Sequence, residues 1–301
     1  MKLEIRGLSK SFREKKVLEG ISFTCHSGSA TGLLGRNGAG KTTTIRSVLG
    51  IIARDGGEVL LDGKPLPAYY GPIGYLPEER GLYPKIKINE QLCYFASLRG
   101  VSAHEAKKSL DYWLRRLEME EYRGKHFETL SKGNQQKIQL IGALLHNPKI
   151  VILDEPFSGL DPVNALLLKS VVLELIDSGK LVVFSSHQMN FVEEFCQEVV
   201  MIHKGQIVMA GNLDGIKRAQ ERNRLFIRLR RSDRDILPLL KLPFVAYAEQ
   251  HGGGFMVTLE REENCRGIWE KLSGEGLDID DFHLVELTLN DIFIEKVGDG
   301  A

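Results

Sequence analysis

A glycine-rich segment near the N-terminus has the residue types and the spacing that bind phosphate groups. It runs Gly35-Arg-Asn-Gly-Ala-Gly-Lys-Thr42, fits G-x-x-x-x-G-K-[ST], and lies between an apolar strand pattern and a helical pattern. The glycines allow backbone N–H groups to turn toward a β-phosphate, Lys41 neutralises the β and γ oxygens, and the Thr42 hydroxyl ligates Mg²⁺. The residues that we predict to bind a nucleoside triphosphate here are Gly35, Asn37, Gly38, Ala39, Gly40, Lys41, Thr42 and Thr43.

Two carboxylates follow an apolar run further along the chain. Asp154 and Glu155 end the run 150–153, Ile-Val-Ile-Leu. A buried strand that ends in charge delivers a carboxylate to a metal at the edge of a sheet. We predict that Asp154 holds Mg²⁺ through water and that Glu155 polarises an attacking water as the general base.

The elements that must position these residues follow from hydrophobic periodicity. The apolar runs 30–34, 150–153 and 181–184 are typical of strands buried on both faces of a parallel sheet. Alternating apolar residues near the N-terminus predict antiparallel strands. Apolar residues at three- and four-residue spacing predict a helical subdomain, about 84–146, inserted between strands. Residues 1–216 therefore form an α/β domain with a mixed sheet.

The segment between the two sites carries the resemblance to a known family. Leu130-Ser-Lys-Gly-Asn-Gln-Gln136 resembles the signature LSGGQQ, and over roughly residues 1–215 the chain looks like the nucleotide-binding subunit of an ABC transporter. The resemblance implies an ABC cassette of the P-loop NTPase fold that takes ATP and Mg²⁺. In the family, Ser131 at a helix N-terminus and Gly133 meet the γ-phosphate of a nucleotide held by the opposite subunit, and Gln135 is carried over with them.

Three other positions carry over by resemblance. Asp161, in Ser158-Gly-Leu-Asp-Pro162, matches the D-loop and is also expected to cap a helix that has Pro162 as its first residue. His187 follows an apolar strand and matches the switch histidine, which contacts the γ-phosphate and positions the water. Phe12 matches the aromatic residue that stacks on adenine; a place in the core is the alternative for this side chain.

The segment from Gly74 to Tyr83 departs from the family pattern at Glu78, where the family usually has Gln close to Mg²⁺ and water. A carboxylate there adds charge beside Asp154 and Glu155, so we expect a greater dependence on Mg²⁺ or a raised carboxylate pKa. Glu78 is thus predicted to be a catalytic and metal-binding residue. YLPEERGLY, LSKGNQQ and the α/β tail together resemble bacterial exporters of sodium or drugs.

The character of the chain changes after Gly215, and we place a domain boundary at about 216 to 222. The basic residues that cluster here are Lys217, Arg218, Arg222, Arg224, Arg228, Arg230, Arg231 and Arg234. Residues 220–301 follow the order βαββαβ, with the first helix near 235–240, and predict a small α+β accessory domain of ferredoxin-like type. A capping box at Thr288 and Asp291 predicts a last helix. This domain is either a regulatory or dimer-bracing module or a passive extension.

Composition limits the classes of protein that remain. Lys plus Arg and Asp plus Glu each total 40 of 301 residues, which argues against a protein that coats nucleic acid or an anionic membrane. The apolar runs are too short for a spanning helix, and the N-terminus lacks a secretory signal. The four cysteines are far apart and indicate reduced thiols in a cytosolic protein.

The predicted function is that of an ATP-hydrolysing motor subunit, since only one phosphate-binding motif and one signature occur in the chain. If a site needs Lys41 from one cassette and Ser131 from another, the chain must pair with a second ATP-binding subunit, as a homodimer in the simplest case. A separate transmembrane permease would dock on the loop from Tyr83 to about Arg99 and hold the chain on the cytoplasmic face of the cell membrane.

The alternative is a soluble ABC ATPase acting on ribosomes or DNA, which the basic cluster favours. We expect that cluster to pair with the acidic tail instead, with no nucleic acid partner; a P-loop kinase or GTPase would leave the segment 131–136 unexplained.

Overall fold

The computed structural model describes residues 1–66, 73–79, 81–220, 223–230 and 235–298, and the chain forms two compact units. The first unit is Met1–Leu213 and the second begins at Asp214, beside the boundary expected at 216 to 222. Of the basic cluster, Arg222, Arg231 and Arg234 lie outside the described residues. No helix in the described part of the chain is long and apolar enough to cross a membrane.

The first unit contains the strands and helices that position the predicted site. Its strands are β1 (Lys2–Phe12), β2 (Lys15–His26), β3 (Ser29–Leu34), β4 (Gly56–Leu61), β5 (Lys64–Pro65), β6 (Ile73–Leu76), β7 (Ile150–Asp154), β8 (Leu181–Ser186), β9 (Glu198–His203) and β10 (Gln206–Asn212). Its helices are α1 (Lys41–Val48), α2 (Ile88–Leu98), α3 (Ala103–Arg116), α4 (Lys132–Leu144), α5 (Pro162–Asp177) and α6 (Met189–Phe195).

The central sheet is mixed and has the order β10-β9-β3-β8-β7-β6. The strands from β9 to β6 are parallel, and β10 runs antiparallel to β9. The three apolar runs form β3, β7 and β8, which confirms the predicted α/β fold, because these strands are buried along their whole length except at Ser29. A second, antiparallel sheet of order β2-β1-β4-β5 confirms the N-terminal prediction.

Strand register brings the chemical residues to one edge of the central sheet. Asp154 at the end of β7 is opposite Ser185 of β8, and Leu34 at the end of β3 is opposite Ser186. Because parallel strands end at the same edge, the loops that follow them must meet there.

The insertion between β6 and β7 is helical, as predicted. Helices α2, α3 and α4 lie in it, with 3₁₀ turns at Glu120–Tyr122 and Phe127–Thr129. Ser102 caps α3 with a complete capping box, and the apolar stripe of α3 is buried at Ala106, Leu110 and Leu114. The insertion thus has its own apolar packing and carries Ser131 at the start of α4.

The second unit is an antiparallel sheet covered by helices. Its first helix, α7 (Leu213–Arg218), begins at the last residue of the first unit. The other elements are β11 (Arg224–Leu229), β12 (Val245–His251), β13 (Gly254–Leu259), α8 (Cys265–Gly274), β14 (Ile279–Leu284) and α9 (Leu289–Val297). The sheet order is β12-β13-β11-β14. The helix expected near 235–240 is a 3₁₀ turn, Leu237–Leu240, because Pro238 and Pro243 prevent a longer helix. The capping box of α9 is present as predicted.

Three residues of the basic cluster, Arg224, Arg228 and Arg230, are paired with carboxylates. Arg224 contacts Asp291 and Glu295 of α9, at 3.3 and 3.0 Å. Arg228 lies 3.0 Å from Asp280, and Arg230 approaches Asp278 as well. The predicted pairing with the acidic tail is therefore confirmed for these three arginines.

Candidate functional site

The phosphate-binding segment turns from β3 into α1 at the edge of the central sheet. Gly40 caps α1 with a φ of 113°, and a Cβ at this position would lie 2.8 Å from the side chain of Leu18, so the turn requires glycine. A cavity of about 410 Å³ opens over the turn. It is lined by residues 36–43 together with Phe12, Val17, Glu78 and Glu155. The free N–H groups of a helix N-terminus favour an anion in such a cavity.

Lys41 is the buried cation of this cavity. Its Nζ donates to the Gly35 carbonyl oxygen over 2.7 Å and lies 3.2 Å from Glu155 Oε1. Both charged side chains are less than a tenth exposed. The ammonium group therefore already has negative partners, which a phosphate must replace or share.

Asp154 is fully buried at the end of β7. Its Oδ1 accepts from Ser185 Oγ over 2.5 Å and from Thr42 Oγ1 over 3.3 Å, whereas Oδ2 has no hydrogen-bond partner in the described structure. Burial raises the pKa of this carboxyl, the two hydroxyl donors oppose the rise, and repulsion from Glu78 and Glu155 adds to it. A raised carboxylate pKa is what we expect from a glutamate at position 78, although burial contributes more to the rise than the repulsion from Glu78.

The oxygens around Asp154 fit a magnesium ion. Mg²⁺ prefers oxygen ligands and is held in many sites by one or two carboxylates plus phosphates. The orphaned Asp154 Oδ2, the Thr42 hydroxyl and the exposed Glu78 carboxylate supply such oxygens beside the phosphate cavity. No group of three acidic, His or Cys side chains close enough to hold a metal occurs in the described residues, so phosphate oxygens would have to complete the coordination.

Glu155 adopts a strained backbone conformation that directs its carboxylate into the cavity. Its φ is 50°, an uncommon value for a residue with a side chain. The conformation is held by Ser185, whose carbonyl and hydroxyl oxygens accept from the Glu155 N–H over 3.2 and 3.1 Å. Glu155 Oε2 lies 2.9 Å from His187 Nδ1, so the carboxylate stands between the imidazole and Lys41. This arrangement can accept a proton from water and orient a histidine at the same point.

Ser131, Gly133 and Asp161 lie together but do not line the cavity. Ser131 caps α4 and accepts from Asn134 N–H, and Asp161 caps α5 and accepts from both the backbone and the side chain of Asn164. A Cβ at Gly133 would be 3.4 Å from the Asn164 side chain. The helix caps are formed as predicted, and the two motifs present a surface separate from the phosphate cavity of the same chain.

Gln135 has a different environment from the other predicted ligands. Its side chain is buried, and its Nε2 donates to the Phe127 carbonyl oxygen over 3.2 Å. Its Oε1 is buried without a hydrogen-bond partner in the described structure. In this conformation Gln135 fixes the turn before α4 and does not reach the phosphate cavity.

Phe12, at the end of β1, lies at the rim of the cavity and is 46% exposed. A core position is therefore excluded for this side chain. The ring presents an apolar surface to the cavity. Its observed neighbour is Lys10, whose Nζ lies 5.3 Å from the ring centroid.

Two residues of the site were not found from the sequence. Ser185 joins Asp154 to Glu155, and Gly205 braces the phosphate segment from the turn between β9 and β10. The Gly205 N–H donates to the Ala39 carbonyl oxygen over 3.0 Å, and its own carbonyl accepts from Glu19 over 2.9 Å. Ser185 stands two residues before the switch histidine, but that match assigns a role only to His187, and Gly205 belongs to no motif with a characteristic spacing.

Replacing Gly205 with alanine is expected to weaken ATP binding. A Cβ at Gly205 would lie 2.3 Å from the Val17 carbonyl oxygen, so the turn must move. This movement would disturb the hydrogen bond from the Gly205 N–H to the Ala39 carbonyl oxygen. We expect a loss of about tenfold in ATP affinity by calorimetry. Gly179→Ala is the matched control, because Gly179 has a φ of 78° against 80° for Gly205 and nothing within 4 Å of its Cβ position. Equal affinities for both variants would show that the brace is unimportant.

The chain resembles known proteins both in sequence and in fold. Residues 18–158 match the family described as ABC transporter, and residues 211–297 match the C-terminal domain of DrrA1-3-like ATP-binding proteins. The chain is 44% identical to YhaQ of Bacillus subtilis, an uncharacterized ABC transporter ATP-binding protein, over 98% of each chain. It is 33% identical to the ABC transporter ATP-binding protein NatA of the same organism, over 73% of this chain and 94% of NatA.

A solved structure shares the fold of the first unit. The ATP-binding subunit of an ABC transporter superposes with a TM-score of 0.68 and 32% identity, covering 72% of this chain and 92% of that one. The fold of the cassette and its sequence motifs therefore point to the same group of proteins.

Proposed function

Because the chain belongs to the ABC transporter ATP-binding proteins, which hydrolyse ATP, we propose that it is the motor of a transporter whose membrane-spanning part is a separate chain. The observation that carries the proposal is that Lys41, Thr42, Asp154, Glu155 and His187 converge at one edge of the sheet. They come from three separate motifs: Thr42 lies 112 residues before Asp154, and His187 lies 32 residues after Glu155.

Glu155 is the general base in this proposal. Phosphate oxygens compete with its carboxylate for Lys41, which leaves the carboxylate free to accept a proton from water as the water attacks the γ-phosphate. His187, hydrogen-bonded to Glu155, is placed to orient that water and the phosphate. Ser185 keeps Glu155 in its strained conformation and so fixes the direction of the base.

Thr42, Asp154 and Glu78 would hold Mg²⁺ beside the phosphates. When bound, the metal neutralises charge on the phosphate oxygens during transfer. Asp154 is oriented for this role by Ser185, which occupies Oδ1 and leaves Oδ2 without a partner.

The second ATP-binding subunit follows from the separation of the motifs. Ser131, Gly133 and Asp161 form one surface, and the phosphate cavity of the same chain does not include them. A head-to-tail pair with a second copy would place this surface of one chain over the cavity of the other, twice. ATP would then lie between the chains and hold them together until it is hydrolysed.

The surface proposed to meet the membrane subunit is the docking patch, defined as Tyr83, Ile86, Tyr94 and Leu98. All four side chains are exposed, although they are apolar or aromatic. Buried Gln91 fixes the loop that carries two of them, since it accepts from the Tyr83 N–H and donates to the Tyr83 and Ile86 carbonyl oxygens. A cavity of about 320 Å³, lined by Leu82, Phe95, Leu98 and His146 among others, adjoins the patch. Motion of the helical insertion would reach the partner through this surface.

The substitution Tyr94→Asp tests the docking patch. We expect the tagged variant to lose its association with native membranes and with the hydrophobic protein that copurifies with the parent chain, because a charge replaces an apolar contact. The ATPase rate of the isolated chain should stay within about twofold, since Tyr94 is not one of the residues that line the phosphate cavity. Tyr247→Asp is the control, because Tyr94 and Tyr247 are 58% and 59% exposed. Unimpaired recovery of the membrane partner by the Tyr94 variant would contradict the patch.

The cargo class is proposed from the exporter resemblance. The segment YLPEERGLY, the signature LSKGNQQ and the tail support an exporter of ions or drugs, and the tail matches the C-terminal domain of DrrA1-3-like proteins. Through its partner the chain would lie on the cytoplasmic face of the cell membrane. Action on ribosomes or DNA is not favoured, because Arg224, Arg228 and Arg230 already have carboxylate partners.

A further inference from the structure

Asp55 lies beside the C-terminal end of β1, where Phe12 is the last residue of the strand. It contacts each of the three residues before Phe12. Its Oδ1 is 2.9 Å from Lys10 Nζ, and its Oδ2 accepts from the Ser11 N–H over 2.6 Å. Its own N–H donates to the Ser9 carbonyl oxygen over 3.0 Å. We propose that Asp55 is a positioning residue that fixes Phe12 for stacking on the nucleobase, an inference that rests on the proposed role of Phe12.

The carboxylate of Asp55 accepts a backbone hydrogen bond from β1 beyond the point where pairing with β4 ends. The ladder between β1 and β4 ends at the pair Ser9 and Gly56. Beyond that pair, the Ser11 N–H has no partner from β4, and Asp55 supplies one. The opposite side of β1 is irregular here, with register shifts between Leu8 and Lys10 and between Lys10 and Ser11. Ser11 and Phe12 still pair with Lys16 and Lys15 of β2, so Asp55 supplies the restraint on the other side of β1, where the β4 ladder has ended.

Lys10 extends this restraint to the aromatic ring. Its ammonium is held by Asp55 and lies 5.3 Å from the Phe12 ring centroid, within the range of a cation–π contact. Lys10 is mostly buried, with a side chain that is 13% exposed. One face of the ring is thus occupied by an immobilised cation, and the other is left for a base. A ring that is held in one orientation loses less entropy when it stacks.

The charge state of Asp55 is consistent with this role. The hydrogen bond from Lys10, followed by that from the Ser11 N–H, lowers the pKa of its carboxyl. Asp55 therefore remains ionised at neutral pH and can hold both donors together.

The experiment compares ATP with inorganic tripolyphosphate, which has the phosphates but no base. Affinities are measured by calorimetry on the full chain. Phe12→Ala is expected to weaken ATP binding by about tenfold and Asp55→Ala by about fivefold, with tripolyphosphate binding unchanged in both, since stacking concerns only the base. In the double variant, Asp55→Ala should add little to Phe12→Ala, because it acts through the ring. Asp55→Asn should restore part of the affinity, since its side-chain oxygen still accepts from Ser11.

Asp62→Ala is the control, because Asp62 makes the same kind of bond at the other end of β1. Its Oδ1 accepts from the Lys2 N–H over 2.7 Å, away from the cavity. Normal ATP affinity is expected for this variant. Normal ATP affinity in Asp55→Ala beside a weakened Phe12→Ala would overturn the inference, and so would an equal loss of tripolyphosphate binding. Normal ATP affinity in Phe12→Ala would instead refute the role of Phe12 itself.

Discussion

Glu155→Gln is expected to bind ATP normally and to lose nearly all turnover. The amide has the size of the carboxylate but cannot accept the proton of the attacking water, and loss of a general base costs about 10²- to 10⁴-fold in rate. The ammonium of Lys41 also loses its ion-pair partner, at 3.2 Å in the parent chain, and becomes freer for phosphate. Calorimetry and steady-state phosphate release measure the two effects separately.

The same variant should form a stable dimer in the presence of ATP. In the proposed mechanism hydrolysis opens the pair, so a chain that binds but does not hydrolyse is expected to keep ATP between two cassettes. Size-exclusion chromatography should show a dimer with ATP and a monomer without it. Glu79→Gln serves as the control, since Glu79 is an exposed carboxylate that pairs with Arg46 outside the cavity lining. Rapid residual hydrolysis in Glu155→Gln would exclude Glu155 as the base.

Lys41→Ala is expected to lose ATP binding by about 100-fold or more. The change removes the buried ammonium that faces the phosphates and leaves the Glu155 carboxylate without its cation, so that negative charge dominates the cavity. Lys180→Ala is the control, because Lys180 makes two hydrogen bonds of 2.7 Å, to Asn147 and Pro148, at another place in the same unit. Unchanged ATP affinity of Lys41→Ala would contradict the phosphate site.

Mixing Lys41→Ala with Ser131→Arg tests whether two chains build each site. Each variant alone damages both sites of its homodimer. In a mixed dimer one site combines an intact Lys41 with an intact Ser131, and the other is doubly damaged. Random pairing should then recover up to about a quarter of the parent ATPase rate. If Ser131 served the cavity of its own chain, mixing would recover nothing.

Local patterns predicted the parts of the fold that depend on neighbouring residues. The caps at Ser131, Asp161 and Thr288 depend on residues three positions away, and they formed as expected. The three apolar runs became parallel strands because a strand buried on both faces needs continuous apolar sequence.

Other elements could not be predicted because their signals were weak or conflicting. The strands β9 and β10 were not assigned, and β10 is only partly buried along most of its length. In the tail, an apolar pattern near 235–240 favoured a helix, but two prolines limit it to a 3₁₀ turn.

The sequence by itself determined which chemical groups this protein offers: a lysine and glycines suited to phosphate, carboxylates suited to a metal and to a base, and a signature that does not line the phosphate cavity of the same chain. Only the tertiary structure decided how these groups are held. The Lys41–Glu155 ion pair, the bonds of Ser185 and the hold of Asp55 on the end of β1 join residues distant in sequence. Such contacts depend on strand register and loop closure, which no local pattern encodes, whereas residue type and short spacing set the reaction that the site can perform.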